Sequence, residues 1–223
     1  MTRNFDTQVT GGLFIAAAFA WWGGWALSPY QLGTFFKPED FSAIFPHVRL
    51  WLWLYRVQIF GMVILVLALA ALSSLVAGHR SRVLVWPAST VISVGSVVGA
   101  MGAAFYFHFG VGGAFDLHGK DPAEVGRYVD GLRVLTEYIT CVTRFSRVFP
   151  GVGYLLLAWA IWKWRLFPSW LGAGAAAIGV SAMAVTMGFP DNLEYFIPVF
   201  HLNAVWMLAA GVVLLRSGIN TVK

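Results

Sequence analysis

Apolar residues in this chain come in blocks much longer than the stripe of an amphipathic helix. Six such runs, at about 10–27, 57–76, 83–109, 141–162, 166–188 and 194–215, are separated by short polar or aromatic segments. A helix crossing a bilayer needs about 20 mostly apolar residues. The pattern therefore predicts an all-α, polytopic membrane protein: a bundle of six transmembrane helices forming a single transmembrane domain over 1–223. Arg3 precedes the first run, as in a cleaved signal peptide, but no clean small-x-small cleavage site follows, so the run is read as a span.

The segments between spans carry their own signals. In KPEDFSAIF (37–45), Pro38 at a first-turn position is followed by Glu39 and Asp40, which predicts a short interfacial helix. Trp51, Trp53 and Tyr55 alternate as in a strand, but an aromatic belt on a helix entering lipid explains them better. The outer loop, 110–133, holds Asp121-Pro122-Ala123-Glu124: an N-cap acid, proline at the first position and an acid at the third. A helix is expected to start at Pro122 and run on towards the fourth span, with a break or kink near Pro150, because proline removes an interior helix bond. In the third span, Gly95 and Gly99, with Gly102 and Ala103, offer a surface on which another helix can pack closely.

Composition sharpens the class. Only 11% of the residues are charged and the mean hydropathy is +0.73, against about a quarter charged in soluble domains. The single cysteine, Cys141, excludes an intramolecular disulfide framework, zinc sites with two or more thiolates, and Cys-ligated iron–sulfur clusters. Cys141 itself reads as a small buried hydrophobe. With so few charges, the net charge of +5 is not a nucleic-acid signal. It reflects basic residues flanking spans.

Six spans put both termini on one side. HRSR (79–82) and KWR (163–165) fall there with Arg3, Arg216 and Lys223, and Asp6 is the only acid that joins them. Lys plus Arg divides 7 against 8 between the two sides, so the short span-flanking loops decide the orientation. They indicate cytoplasmic termini, in a bacterial inner membrane.

The same parity gathers ionisable groups at the outer end. Arg56 starts the second span, His108 ends the third, Glu137, Arg144 and Arg147 lie around the start of the fourth, and Asp191, Glu194 and His201 lie at the start of the sixth. Such groups are costly in hydrocarbon and mark functional sites by default. Glu194 and His201 are seven residues apart and share a helix face, as do Glu137, Cys141 and Arg144. His108 and His201, presented by two helices at similar depth, could hold a b-type haem axially, with Arg56 and Arg144 suited to its propionates. The bland alternative gives each histidine a carboxylate, a carbonyl or interfacial water, and each arginine a lipid headgroup. Asp191, beside Pro190, reads equally as a helix cap. Asp116, His118 and Asp121 form an exposed polar loop or a surface metal site. No HExxH, GxSxG, P-loop or dinucleotide fingerprint is present.

The segment Trp164–Gly172, with the Gly/Ala-rich span after it and Trp206, Met207 and Gly211 in the last span, resembles uncharacterised bacterial six- to seven-helix integral membrane protein families. The resemblance covers about a quarter of the chain. It implies a bacterial six-helix architecture and no activity.

Three functions stay open at this point. The leading one is a polar His/Arg/acid pocket in the outer half of the bundle, holding a small hydrophobic or anionic ligand or cofactor, with b-type haem and a quinone as candidates. The second is an accessory structural subunit, whose partners are other membrane subunits or further copies of itself in the bilayer. The third is a membrane enzyme acting at the outer interface, with Glu137 or Glu194 as acid or base. No nucleic acid is expected as a partner.

Overall fold

The computed structural model describes residues 5–26, 36–189 and 193–217, and every regular element among them is helical. The long helices are α1 (Phe5–Ala26), α3 (Val48–Leu75), α4 (Arg82–Phe105), α6 (Pro122–Trp164), α7 (Ser169–Gly188) and α8 (Ile197–Ser217). Two short ones, α2 (Pro38–Ile44) and α5 (Gly113–Asp116), lie between them. Five helical stretches are long and apolar enough to cross a membrane: Pro38–Leu75, Arg82–Asp116, Pro122–Trp164, Ser169–Gly188 and Ile197–Arg216. The sixth long helix, α1, has 22 residues, about 33 Å at 1.5 Å per residue. Phe60, Leu67, Trp86, Val97, Val180 and Val205 are all more than half exposed or close to it on the outside of the bundle. A soluble protein rarely tolerates apolar surface on that scale. The chain is an integral membrane protein.

The helices form a closed ring in the order α1, α3, α4, α6, α7, α8 and back to α1. Glycines set most of the seams. A methyl group on Gly179 of α7 would lie 2.8 Å from the Gly151 carbonyl oxygen of α6, and one on Gly211 of α8 would lie 2.7 Å from the Gly11 carbonyl oxygen of α1. Lipid supplies no hydrophobic drive between helices, so small residues that let backbones touch supply the packing attraction instead.

The two ends of the ring differ. One end has tight turns: residues 76–81 between α3 and α4, and Arg165–Pro168 between α6 and α7. Arg165 closes α6 in the left-handed region, at φ 50° and ψ 38°. The other end carries a cap of α2, α5, the π-helical stretch Tyr106–Gly112 and the first turns of α6. Phe36, Phe41, Ile44, Trp51, Phe105, Val111, Ala114 and Leu132 form its own apolar core. Asp121 caps α6 by accepting the Ala123 N–H at 3.1 Å. Val125, Tyr128, Val129 and Leu132, three and four residues apart, then turn one face to that core.

Several expectations need correction. The outer loop 110–133 is mostly helix: the third span continues through the π-helical stretch into α5, and only residues 117–121 separate it from α6. The second span starts well before residue 57, since α3 begins at Val48. Pro150 does not break α6, which runs unbroken for 43 residues. Its ring packs on Gly95, where a side chain would collide with it, so the proline that loosens α6 also seats α4. Cys141 is exposed, not buried.

Candidate functional site

A cavity opens inside the ring, in the capped half. It contains about 1320 Å³ of space between protein atoms, its open mouth included. All six long helices contribute to its wall. Their alternating direction brings the C-terminal ends of α1 and α4 to the same level as the N-terminal ends of α3 and α8.

The wall is aromatic with a few polar groups, as ligand sites usually are. Trp21 of α1, Trp51 and Tyr55 of α3, Tyr106 of the π-helical stretch, and Phe196 and Phe200 supply rings. Gln58, Ser96, Thr143, Ser146, Asn203 and Arg147 supply polar atoms. Arg147 is half-buried, and its guanidinium stands 5.0 Å from the Phe196 ring centre. The Tyr106 hydroxyl bonds Thr140 and lies within electrostatic reach of Arg147. No aspartate or glutamate lines the cavity among the described residues.

At the inner end, the Tyr154 hydroxyl of α6 donates to Asn203 Oδ1 of α8, reaching across behind α7. Trp206 meets the Tyr154 ring edge-on, with centroids 5.2 Å apart, and donates its Nε1–H to the Leu171 carbonyl at 2.8 Å. Other polar groups of the interior are left unpaired. Among the described residues, three buried side-chain polar atoms have no protein partner: Trp21 Nε1, Trp51 Nε1 and Ser89 Oγ. The two indoles both line the cavity, and Trp51 is only 4% exposed. Buried polar groups are nearly always paired, so two orphan donors facing one space require an explanation.

Apart from Arg147, the described ionisable residues singled out from sequence lie elsewhere. His108 and His201 are both exposed on the outer surface, on helices that are not neighbours in the ring. The structure does not bring them together, and neither lines the cavity. His201 Nδ1 accepts the Trp22 Nε1–H at 2.8 Å. The seven-residue phase argument linking it to Glu194 fails for a physical reason: Leu193–Phe196 is a 3₁₀ turn, and the α-helix begins only at Ile197. Asp191 lies outside the described residues, as does the side chain of Glu194. Arg56 is exposed, with its guanidinium 5.6 Å from Trp53 and 5.7 Å from Phe107 ring centres. Glu137 faces out and pairs with Arg133 at 3.6 Å, one turn back on α6, and does not meet Arg144. Arg144 donates to the Thr186 carbonyl of α7 at 3.3 Å. His118 stacks flat on Phe45, with ring centres 3.4 Å apart. No cluster of three or more metal-ligating side chains occurs among the described residues.

Of the six among those eight ionisable groups whose side chains are described, only Arg147 reaches the cavity wall. Sequence reasoning missed Trp21, Trp51, Tyr106, Tyr154 and Asn203 because it weighed ionisable side chains and treated aromatics as belt residues. One signal was available: Asn203 and Gln58 are neutral amides well inside apolar runs.

The fold and site define an integral membrane protein with a six-helix ring around an aromatic cavity. Comparison with protein-family models, with characterised proteins and with solved structures finds no match.

Proposed function

We propose that this protein binds a lipid-soluble ligand bearing hydrogen-bond-acceptor oxygens, inside the capped half of the ring. One observation carries the reading: Trp21 and Trp51 turn buried, partnerless N–H groups to the space that Arg147 also lines. Indole nitrogen donates only. Arginine donates and carries positive charge. Carbonyl or anionic oxygen is the complement to all three. The aromatic remainder of the wall suits an apolar body, and a quinone combines both properties. Haem held by His108 and His201 is not part of this reading, because that pair faces outward.

The tight-turn end carries HRSR and KWR next to spans, which supports cytoplasmic termini and a bacterial inner-membrane location. The cavity then lies in the outer half of the bundle.

Calorimetric titration of the purified protein in micelles with a decyl-substituted benzoquinone tests the site. Trp51→Phe keeps the ring and removes the donor. Losing one hydrogen bond costs about 1 kcal/mol, roughly fivefold in Kd. Arg147→Gln is expected to cost more for an anionic head than for a neutral one. His108→Ala and His201→Ala are expected to leave Kd unchanged. No saturable binding of either this quinone or a long-chain carboxylate, or equal Kd in wild type, Trp51→Phe and Arg147→Gln, overturns the proposal.

A further inference from the structure

A second, wholly different depression lies on the outside of the bundle between α3 and α4. Met62, Val63, Val66, Ser96, Val97, Ala100, Met101 and Ala104 line it, with no charged group and only the Ser96 hydroxyl as a polar one. Met62 and Ser96 belong to both walls: they line the inner cavity and the outer groove. Ser96 Oγ is already committed to the Ile92 carbonyl at 2.9 Å, so it presents no unmet polar demand to lipid.

The seam at this point differs from four of the other five in the ring. The α1/α3, α4/α6, α6/α7 and α1/α8 seams are shut by backbone. A methyl group on Gly61 would lie 2.9 Å from the Trp21 Cα, on Gly153 2.8 Å from the Ala88 carbonyl oxygen, and Gly151–Gly179 and Gly11–Gly211 are equally tight. On α4, Gly99 meets side chains and no backbone: the end of Met62 of α3, at 3.5 Å to Cε and 3.6 Å to Sδ, and the Ser146 hydroxyl of α6 at 3.8 Å. The Met62 contact is at ordinary van der Waals distance to an unbranched, flexible side chain. The partition between cavity and lipid is therefore a flexible methionine here, whereas those four seams are closed by main chain and the α7/α8 seam, at Gly174, by the rigid Trp206 ring.

We infer that the ligand is a membrane lipid or lipid-like cofactor with an oxygen-acceptor head on a long apolar chain, and that it passes sideways between α3 and α4. Its head lies at Trp51, Trp21 and Arg147, its chain crosses at Met62, and the chain's far end occupies the outer groove. The inference rests on the proposed ligand site and adds chain and route to it. Two head chemistries share this description: a quinone carbonyl and a carboxylate.

The test uses full-length protein in nanodiscs and two probe pairs: decyl-benzoquinone with methyl-benzoquinone, and hexadecanoate with butyrate. Ala100→Trp fills the groove from α4. It should weaken both long-chain probes at least tenfold and leave both short-chain probes within twofold. Met62→Ala thins the partition and should speed long-chain release several-fold. If Ala100→Trp does not fold, Val97→Trp, at a position already 51% exposed, fills the same groove. Long- and short-chain probes weakened alike, or neither weakened, overturn the lateral route while leaving the site standing. Failure of all four probes to bind removes the site and the route with it. A strong loss for hexadecanoate but not decyl-benzoquinone on Arg147→Gln identifies the head as a carboxylate, and the converse preference identifies a quinone.

Discussion

Tyr154 and Asn203 illustrate what a single polar contact does in this interior. Tyr154 is 1% exposed and Asn203 5%, and the hydroxyl donates to the amide oxygen across the ring. Both side chains are buried, so truncating one deprives the other of its protein partner. Interhelical hydrogen bonds measured in membranes contribute about 0.6 kcal/mol on average, and at most about 1.7. Stranding a buried acceptor adds to that. Tyr154→Phe is expected to lower stability by about 1–2 kcal/mol, read from unfolding of the purified protein in a denaturing-detergent titration. The double variant Tyr154→Phe with Asn203→Leu should lose clearly less than the sum of the two singles, since contacting residues couple. Strict additivity would mean that the bond does not form.

At the level of elements, the same residue type has opposite roles along α6. Gly151 faces the Gly179 backbone of α7, whereas Gly126 has nothing within 4 Å of where a β-carbon would be. Gly179→Leu must push α7 off α6 and should destabilise by about 1–3 kcal/mol, as overpacking does. Gly126→Ala should stabilise by about 0.5–1 kcal/mol, because only helix propensity changes. Thermal unfolding of the two variants checks the pair; equal losses would show that glycine is needed for backbone freedom and not for close approach. This contrast also bounds what sequence can reveal. The six long helices, the α2 start at Pro38 and the Asp121 cap were legible because they depend on local runs and local hydrogen bonds. The Gly95–Gly102 packing surface was legible too, as it meets α6 through Pro150 and Thr143. The start of α6 at Pro122 and its run towards the fourth span were legible as well; its continuity through Pro150 was not, since that depends on the proline ring being seated against Gly95 of a neighbouring helix. The cavity was illegible for a related reason. Depth along a span follows from sequence, but which way His108, His201 or Trp51 points depends on the ring order of the helices, which periodicity does not encode.

The ring as a whole has two chemically distinct ends, and its orientation follows from them. Crossing helices alternate, so the 76–81 and 165–168 turns share one end, and α2 with the start of α6 shares the other. Lysine and arginine number 15 in all and divide almost evenly, 7 against 8 by position along the chain, so a global charge count predicts no orientation. Charges act on insertion mainly when they flank spans in short loops. By that criterion the four basic residues Arg80, Arg82, Lys163 and Arg165 outweigh those of the capped end, where Glu39, Asp40, Glu124, Asp130 and Glu137 are interspersed with the cations. The tight-turn end should therefore face the cytoplasm. The single cysteine makes this simple to test. In a Cys141→Ser background, Ser42→Cys places an exposed thiol on α2 and Gly78→Cys places one in the α3/α4 turn. A membrane-impermeant maleimide added to intact spheroplasts is expected to label Ser42→Cys at once and Gly78→Cys only after lysis. The reverse pattern would invert the protein in the membrane without disturbing the ring, and would put the cavity in the cytoplasmic half. Labelling of both from outside would mean that the two ends are not separated by a bilayer at all, and the six-helix crossing would fall with them.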